Sequence, residues 1–139
     1  MDQPTHTEVG REFVSFAAVG VVGLAADAAL FLLLTGGYGW PIAAARSISA
    51  ACSIATTWML NRHLTFTTRR SRLWGVELAR YAVGQGAGLL VNLGSFTLVL
   101  WLIPRLRAAP IVALGIGAGA ALLFNFLSAR TLAFRPDPR

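Results

Sequence analysis

The sequence predicts an all-α membrane protein: four transmembrane helices forming two two-helix repeats that share one orientation. Three observations predict it. The 139 residues are 55% hydrophobic and 13% charged, against roughly 45–50% apolar and about 25% charged in soluble domains. The apolar residues gather in four runs, each long enough for a hydrocarbon core of about 30 Å at about 1.5 Å per residue. The two halves of the chain also resemble each other. This balance, with a mean hydropathy of +0.62, excludes a disordered chain and a free-standing soluble core.

The first run covers about Phe13–Leu34 and is interrupted only by Asp27. It is longer than the apolar region of a signal peptide, and no small-residue cleavage site follows, so it is expected to stay in the protein. The second covers about Pro41–Leu60 with Arg46 inside it, and the third about Arg80–Ile103. The fourth covers about Pro110–Leu127, with a continuation to Leu132. None shows the alternation of a barrel strand. Thr35–Trp40 and Pro104–Ala109 connect the runs on one side, and Asn61–Ala79 on the other.

All twelve basic residues are arginines. Arg11, Arg62, Arg69, Arg70, Arg72, Arg80, Arg130, Arg135 and Arg139 fall on one side of the runs. Only Arg105 and Arg107 fall opposite. The positive-inside rule therefore puts both termini and the middle loop in the cytoplasm. In a soluble protein this basicity would point to nucleic acid. Arginines that flank apolar runs point instead to anionic lipid headgroups and the bilayer, with no nucleic-acid partner. Cys52 is the single cysteine, so no disulfide or CxxC pair forms within the chain.

At an offset of 65 residues, Glu12 meets Glu77, Phe16 meets Tyr81, Gly23 meets Gly88, Asp27 meets Asn92 and Phe31 meets Phe96. After the outer loop the offset becomes 68, where Trp58 meets Phe126, Arg62 meets Arg130 and Phe66 meets Phe134. The chain thus reads as one integral membrane domain over 1–139, with repeat one at about 12–66 and repeat two at about 77–134. Because each repeat has two spans, the repeats are parallel-oriented, related by an axis along the membrane normal.

The opening Phe16-Ala-Ala-Val-Gly20, the position of Asp27 and the ending Asn61-Arg-His-Leu-Thr-Phe66 resemble the GtrA-like family of small four-span membrane proteins, as does the second ending Asn125-Phe-Leu-Ser-Ala-Arg130-Thr-Leu-Ala-Phe134. The resemblance runs from about Glu12 to Phe134. It implies a role in cell-surface polysaccharide synthesis at a bacterial cytoplasmic membrane. The substrate it implies is a polyprenyl-phosphate-linked sugar, moved across the membrane or presented to other proteins.

Ionisable groups inside spans are costly and therefore functional candidates. Asp27 lies about 10 Å below the outer end of span one and Arg46 about 8 Å into span two, so the two can pair. Three uses fit: a pair that fixes packing, a ligand or coupling site, or an Arg46 that snorkels to the interface. Helical phase puts Gly20, Gly23 and Asp27 on one face, and Arg46, Ser49, Ser53 and Thr57 on another with Asn61 near its inner end. Span three aligns Gln85, Gly88 and Asn92; span four aligns Asn125 with Ser128. These polar lines serve either interhelical hydrogen bonds or a polar groove. Gly84-x-x-x-Gly88 and Gly115-x-x-x-Gly119 suit close crossing, within one subunit or between copies in a homo-oligomer.

Arg62 and Arg130, flanked by Asn61 and Asn125, end spans two and four at the cytoplasmic interface. Arginine's planar fork suits phosphate oxygens, so the two are candidates for a lipid phosphate; the plainer reading is topology and attraction to headgroups. Trp40, Trp74 and Trp101 read as interfacial anchors, and Phe66 and Phe134 are further candidates.

No paired-carboxylate site, metal-spaced cluster, cofactor motif or nucleophile with a nearby base is evident, so no enzymatic activity, metal or cofactor is expected. The leading expectation is translocation of a polyprenyl-phosphate-linked sugar. The alternative is a non-catalytic anchor or accessory subunit of a polyprenyl-phosphate glycosyltransferase. A small multidrug exporter ranks last, since such proteins carry a first-span glutamate and, in dual-topology members, little charge bias.

Overall fold

The computed structural model describes residues 5–108 and 110–135, and among these there is no strand. Arg139 and residue 109, which the arginine tally and the second outer connection include, lie outside the described residues. The chain divides into two compact units, Met1–Arg70 and Ser71–Arg139.

The first unit is a hairpin of two helices, α1 (His6–Leu32) and α2 (Ile42–Leu60). A capping box starts α1: Thr5 Oγ1 accepts from the Glu8 N–H, and Glu8 Oε2 accepts from the Thr5 N–H at 3.0 Å. A widened π-turn over Leu33–Gly37 ends it, and Gly39 then takes a left-handed φ of 66° in the bend that leads to Pro41. Pro41 stands immediately before α2, where its missing N–H costs nothing.

The second unit is the hairpin of α3 (Trp74–Leu102) and α4 (Ile111–Ser128), connected through a 3-10 turn at Pro104–Ala108. Both α2 and α4 finish in a π-turn, Asn61–Thr65 and Ala129–Ala133. In each the closing bond spans five residues: the Phe66 N–H donates to the Asn61 carbonyl and the Phe134 N–H to the Ala129 carbonyl, both at 2.8 Å. The extra residue per turn re-aims the chain, and both phenylalanine rings end up fully buried.

The expected middle loop Asn61–Ala79 is therefore shorter than expected. The π-turn carries helix past Arg62, and α3 begins six residues ahead of Arg80, at Trp74. Among the described residues three helices are long and apolar enough to cross a membrane: His6–Gly37, Trp74–Leu102 and Ile111–Ala133. α2 has 19 residues, a length of about 28 Å, but Arg46, Ser47, Ser49, Ser53, Thr56 and Thr57 dilute its apolar content.

Polarity in each unit runs inside out. Val14, Val21, Leu24, Leu89, Leu90 and Ile111 are exposed, whereas Asp27, Ser49, Asn61, Arg62 and Glu77 are buried. Such a surface suits hydrocarbon as the solvent.

Glycine sets the spacing within each hairpin. A Cβ at Gly23 would collide with the Thr57 methyl, and one at Gly88 with the Asn125 amide. Gly84 lies against Ser128, and Gly117 against Asn92. Two expectations are corrected here. Gly20 is exposed with open space beside it, so the packed line of α1 is Phe16, Val19, Gly23 and Asp27. Gly115 and Gly119 also face open space; the residues α4 buries are Ala113, Gly117, Ala121, Phe126 and Ser128.

Candidate functional site

The first unit carries a polar line from its Leu33–Gly37 turn to its Asn61–Thr65 end. Near the Leu33–Gly37 turn, Arg46 NH1 donates to Asp27 Oδ2. The two side chains differ in exposure, 60% for Arg46 and 11% for Asp27. The acid is thus embedded and the base reaches it from outside, which neutralises the buried charge and leaves guanidinium donors free to point outward. Buried Ser49 lies beside the carboxylate and donates to the Arg46 carbonyl at 3.2 Å.

Deeper in the hairpin, Ser53 Oγ donates to the Gly23 carbonyl at 2.8 Å, an interhelical bond to the backbone that glycine leaves uncovered. Thr57 Oγ1 bonds back to the Ser53 carbonyl at 2.8 Å and turns its methyl toward Gly23. Both residues, expected as polar lining, therefore act at the helix contact.

At the Asn61–Thr65 end, Thr65 Oγ1 donates to Asn61 Oδ1 at 2.9 Å. Its one proton being used, it must accept from Ser15 Oγ at 2.8 Å. Arg62 is 5% exposed, with its guanidinium carbon 6.0 Å from the centre of the Trp58 ring, a cation–π placement. Glu12 accepts from Arg69 Nε at 3.4 Å. A cleft of about 400 Å³ opens among Arg11, Glu12, Ser15 and Thr65.

In the second unit Asn92 and Asn125 sit at close helix approaches, against Gly117 and Gly88. Gln85 and Arg130 are half-buried. Glu77 is fully buried and accepts the Ser71 N–H at 2.8 Å, tying the start of the unit to α3. Sequence reasoning used Glu77 only as a repeat match. Its place one turn into α3, behind Ser71, was the available signal.

The internal geometry of the two units corresponds position by position. Phe16 meets Phe66 with ring centres 6.2 Å apart and a tilt of 57°; Tyr81 meets Phe134 at 5.9 Å and 62°. Gly23 under Thr57 matches Gly88 under Asn125. Asp27 beside Ser49 matches Asn92 beside Gly117. Arg62 and Arg130 each take the second place of a π-turn. The charge breaks the correspondence: where the first unit has Asp27 and Arg46, the second has Asn92 and Leu114.

The structure therefore brings Asp27 to Arg46 and Asn61 to Thr65 within the first unit. Arg62 belongs to one unit and Arg130 to the other. Among the described residues no cluster of His, Cys, Asp and Glu is suited to a metal ion. The family model described as GtrA/DPMS, transmembrane domain, matches residues 15–135. No curated protein matches the chain.

Proposed function

This chain belongs to the GtrA/DPMS transmembrane domain family, and from that membership we propose that it carries a polyprenyl-phosphate-linked sugar across the cytoplasmic membrane without catalysing a reaction. At the coarser level the chain is a membrane protein of glycosylation-related processes. The observation that supports this reading is the inside-out polarity of each hairpin, with embedded Asp27 held by the more exposed Arg46. Ionisable groups at membrane depth commonly mark substrate or ion paths.

In this reading four helices span the membrane as two repeats, with both termini cytoplasmic, as the arginine asymmetry supports. Within the first unit Ser53 and Thr57 continue the stripe that begins at the Asp27–Arg46 pair, and within the second Gln85 and Asn92 form a polar line of their own. Arg62 with Asn61 ends the first line and Arg130 with Asn125 the second, on the cytoplasmic side, each offering a fork to a lipid phosphate. The prenyl chain stays in lipid throughout. The sequence holds no ATP-binding motif, so movement is passive, ion-coupled or drawn by consumption on the far side.

A second reading has one observation in its favour. The matching family is described as a transmembrane domain, a description that suits an anchor or accessory subunit of a membrane glycosyltransferase. Reconstitution of the purified chain alone in vesicles with labelled polyprenyl-phosphate sugar separates the two. Transfer of label to the far leaflet at a rate above protein-free vesicles supports translocation. No transfer by the lone chain, with transfer or sugar incorporation restored by a glycosyltransferase, supports the accessory role.

A further inference from the structure

The second unit has a groove that the polar path does not use. It lies between one row of α3 (Arg80, Val83, Gly84, Ala87) and one row of α4 and its π-turn (Phe124, Ser128, Leu132), and has a volume of about 500 Å³. Small residues form part of its lining, and Val83, at 73% exposure, stands open at its edge. From Arg80 to Ala87 the row is about 10 Å long, enough for the head-proximal part of one hydrocarbon chain. Two arginines border it. Arg80 lies in the second turn of α3 and Arg135 directly follows the α4 π-turn, so both belong to the same end of the hairpin. Both are exposed, and neither is paired with a carboxylate among the described residues.

We propose that this groove seats an isoprenoid phosphate, with its first isoprene units between α3 and α4 and its phosphate on Arg80 and Arg135. The inference rests on the lipid-carrier reading above and adds a binding seat to it, separate from Arg62 and Arg130. An apolar trough bordered by two guanidinium groups selects an amphiphile whose charge is anionic and adjoins its chain. Arginine forks match phosphate oxygens in pairs. A trough of about 500 Å³ between two helices suits a single chain, which favours an isoprenoid over a two-chain glycerolipid. The groove belongs to one unit, so the seat is complete within α3 and α4.

The test uses the full chain in phosphatidylcholine nanodiscs and an isoprenoid monophosphate carrying a diazirine in its first isoprene units. Binding and crosslink position are read by mass spectrometry. Three variants are compared with the parent: Arg80→Gln with Arg135→Gln, Ala87→Phe to fill the trough without touching charge, and Arg105→Gln with Arg107→Gln as a charge-matched control. The expected result is crosslinking to Val83, Ala87 or Phe124. Affinity should fall at least about tenfold in the first two variants, a difference of about 1.4 kcal/mol, and stay unchanged in the control. Ten-fold excess phosphatidylglycerol should fail to displace the probe.

Equal affinity in the parent, the double Gln variant and Ala87→Phe overturns the seat and leaves the lipid-carrier reading standing. Displacement by phosphatidylglycerol overturns it too, making the groove a boundary-lipid site. A parent chain that takes no probe overturns both.

Discussion

Arg46 holds Asp27 from an exposed position: the arginine side chain keeps 60% of its accessible surface while the aspartate keeps 11%. The two neutralisations are therefore unequal. Removing the acid leaves a cation that can snorkel to the interface; removing the base leaves a buried carboxylate with no counter-charge.

Arg46→Gln should accordingly destabilise the hairpin by about 3 kcal/mol, the lower end for an orphaned buried charge. Asp27→Asn should cost about 1 kcal/mol, the worth of one hydrogen bond. The double variant should be more stable than Arg46→Gln alone. Unfolding in mixed detergent micelles, run as a double-mutant cycle, measures this. Additive losses would show that the pair is not coupled.

Glycine substitutions should divide by position. Gly23→Ala and Gly88→Ala push a methyl into Thr57 and Asn125, and overpacking of this kind costs about 1–3 kcal/mol. Gly20→Ala, Gly115→Ala and Gly119→Ala meet open space and should gain up to about 1 kcal/mol from helix propensity. Thermal melting of the five variants in one detergent checks both directions. Equal effects in the two groups would contradict the packing.

Lysine at Arg62 and Arg130 keeps the charge and the orientation signal but loses the planar fork. Under the proposed function, both single variants reach normal membrane levels yet bind polyprenyl-phosphate sugar about tenfold more weakly, a loss of about 1.4 kcal/mol. Arg62→Lys should also loosen the contact with Trp58, seen as a change in tryptophan fluorescence. Unchanged binding in the double Lys variant would remove both residues from the site.

Orientation is checked by thiol labelling. Cys52 is exposed, so the background is Cys52→Ser. New cysteines at Gly37 and Arg107 should react with an impermeant reagent in intact cells, and one at Arg70 only after permeabilisation. Labelling of Arg70 in intact cells would reverse the topology.

Much of this molecule was legible in the sequence because a bilayer leaves few options. Apolar length gave the helices, and equal depth gave the Asp27–Arg46 pair. Two things were not legible. Helical phase alone put Gly20 with Gly23 and Asp27, but the contact line of α1 follows Phe16, Val19, Gly23 and Asp27; which edge of a polar stripe meets the partner depends on the crossing of two helices. The polar end Asn61–Thr65 reads as the start of a loop, and Ala129–Leu132 as a plain continuation of span four, yet both are π-turns that bury the phenylalanine that follows. The α3–α4 groove escaped for the first reason, since it exists only where two rows of different helices face each other.

Under the proposed four-span topology, the polarity of α2 sets an order of events at synthesis. Crossing hydrocarbon alone, this helix would carry Arg46 unneutralised near its start, at a cost below the about 2.5–3.5 kcal/mol of a central position. α1 would carry Asp27 with a similar burden but has far more apolar length to offset it. α1 can therefore enter first and wait, and α2 follows when the nascent chain is long enough for the arginine to find its acid. α3 and α4 have no such dependence. In this topology the first hairpin is thus best completed once both its helices are available, whereas the second can be laid down one helix at a time. A ribosome stalled with α2 only partly emerged should leave an integrated α1 beside a protease-sensitive α2.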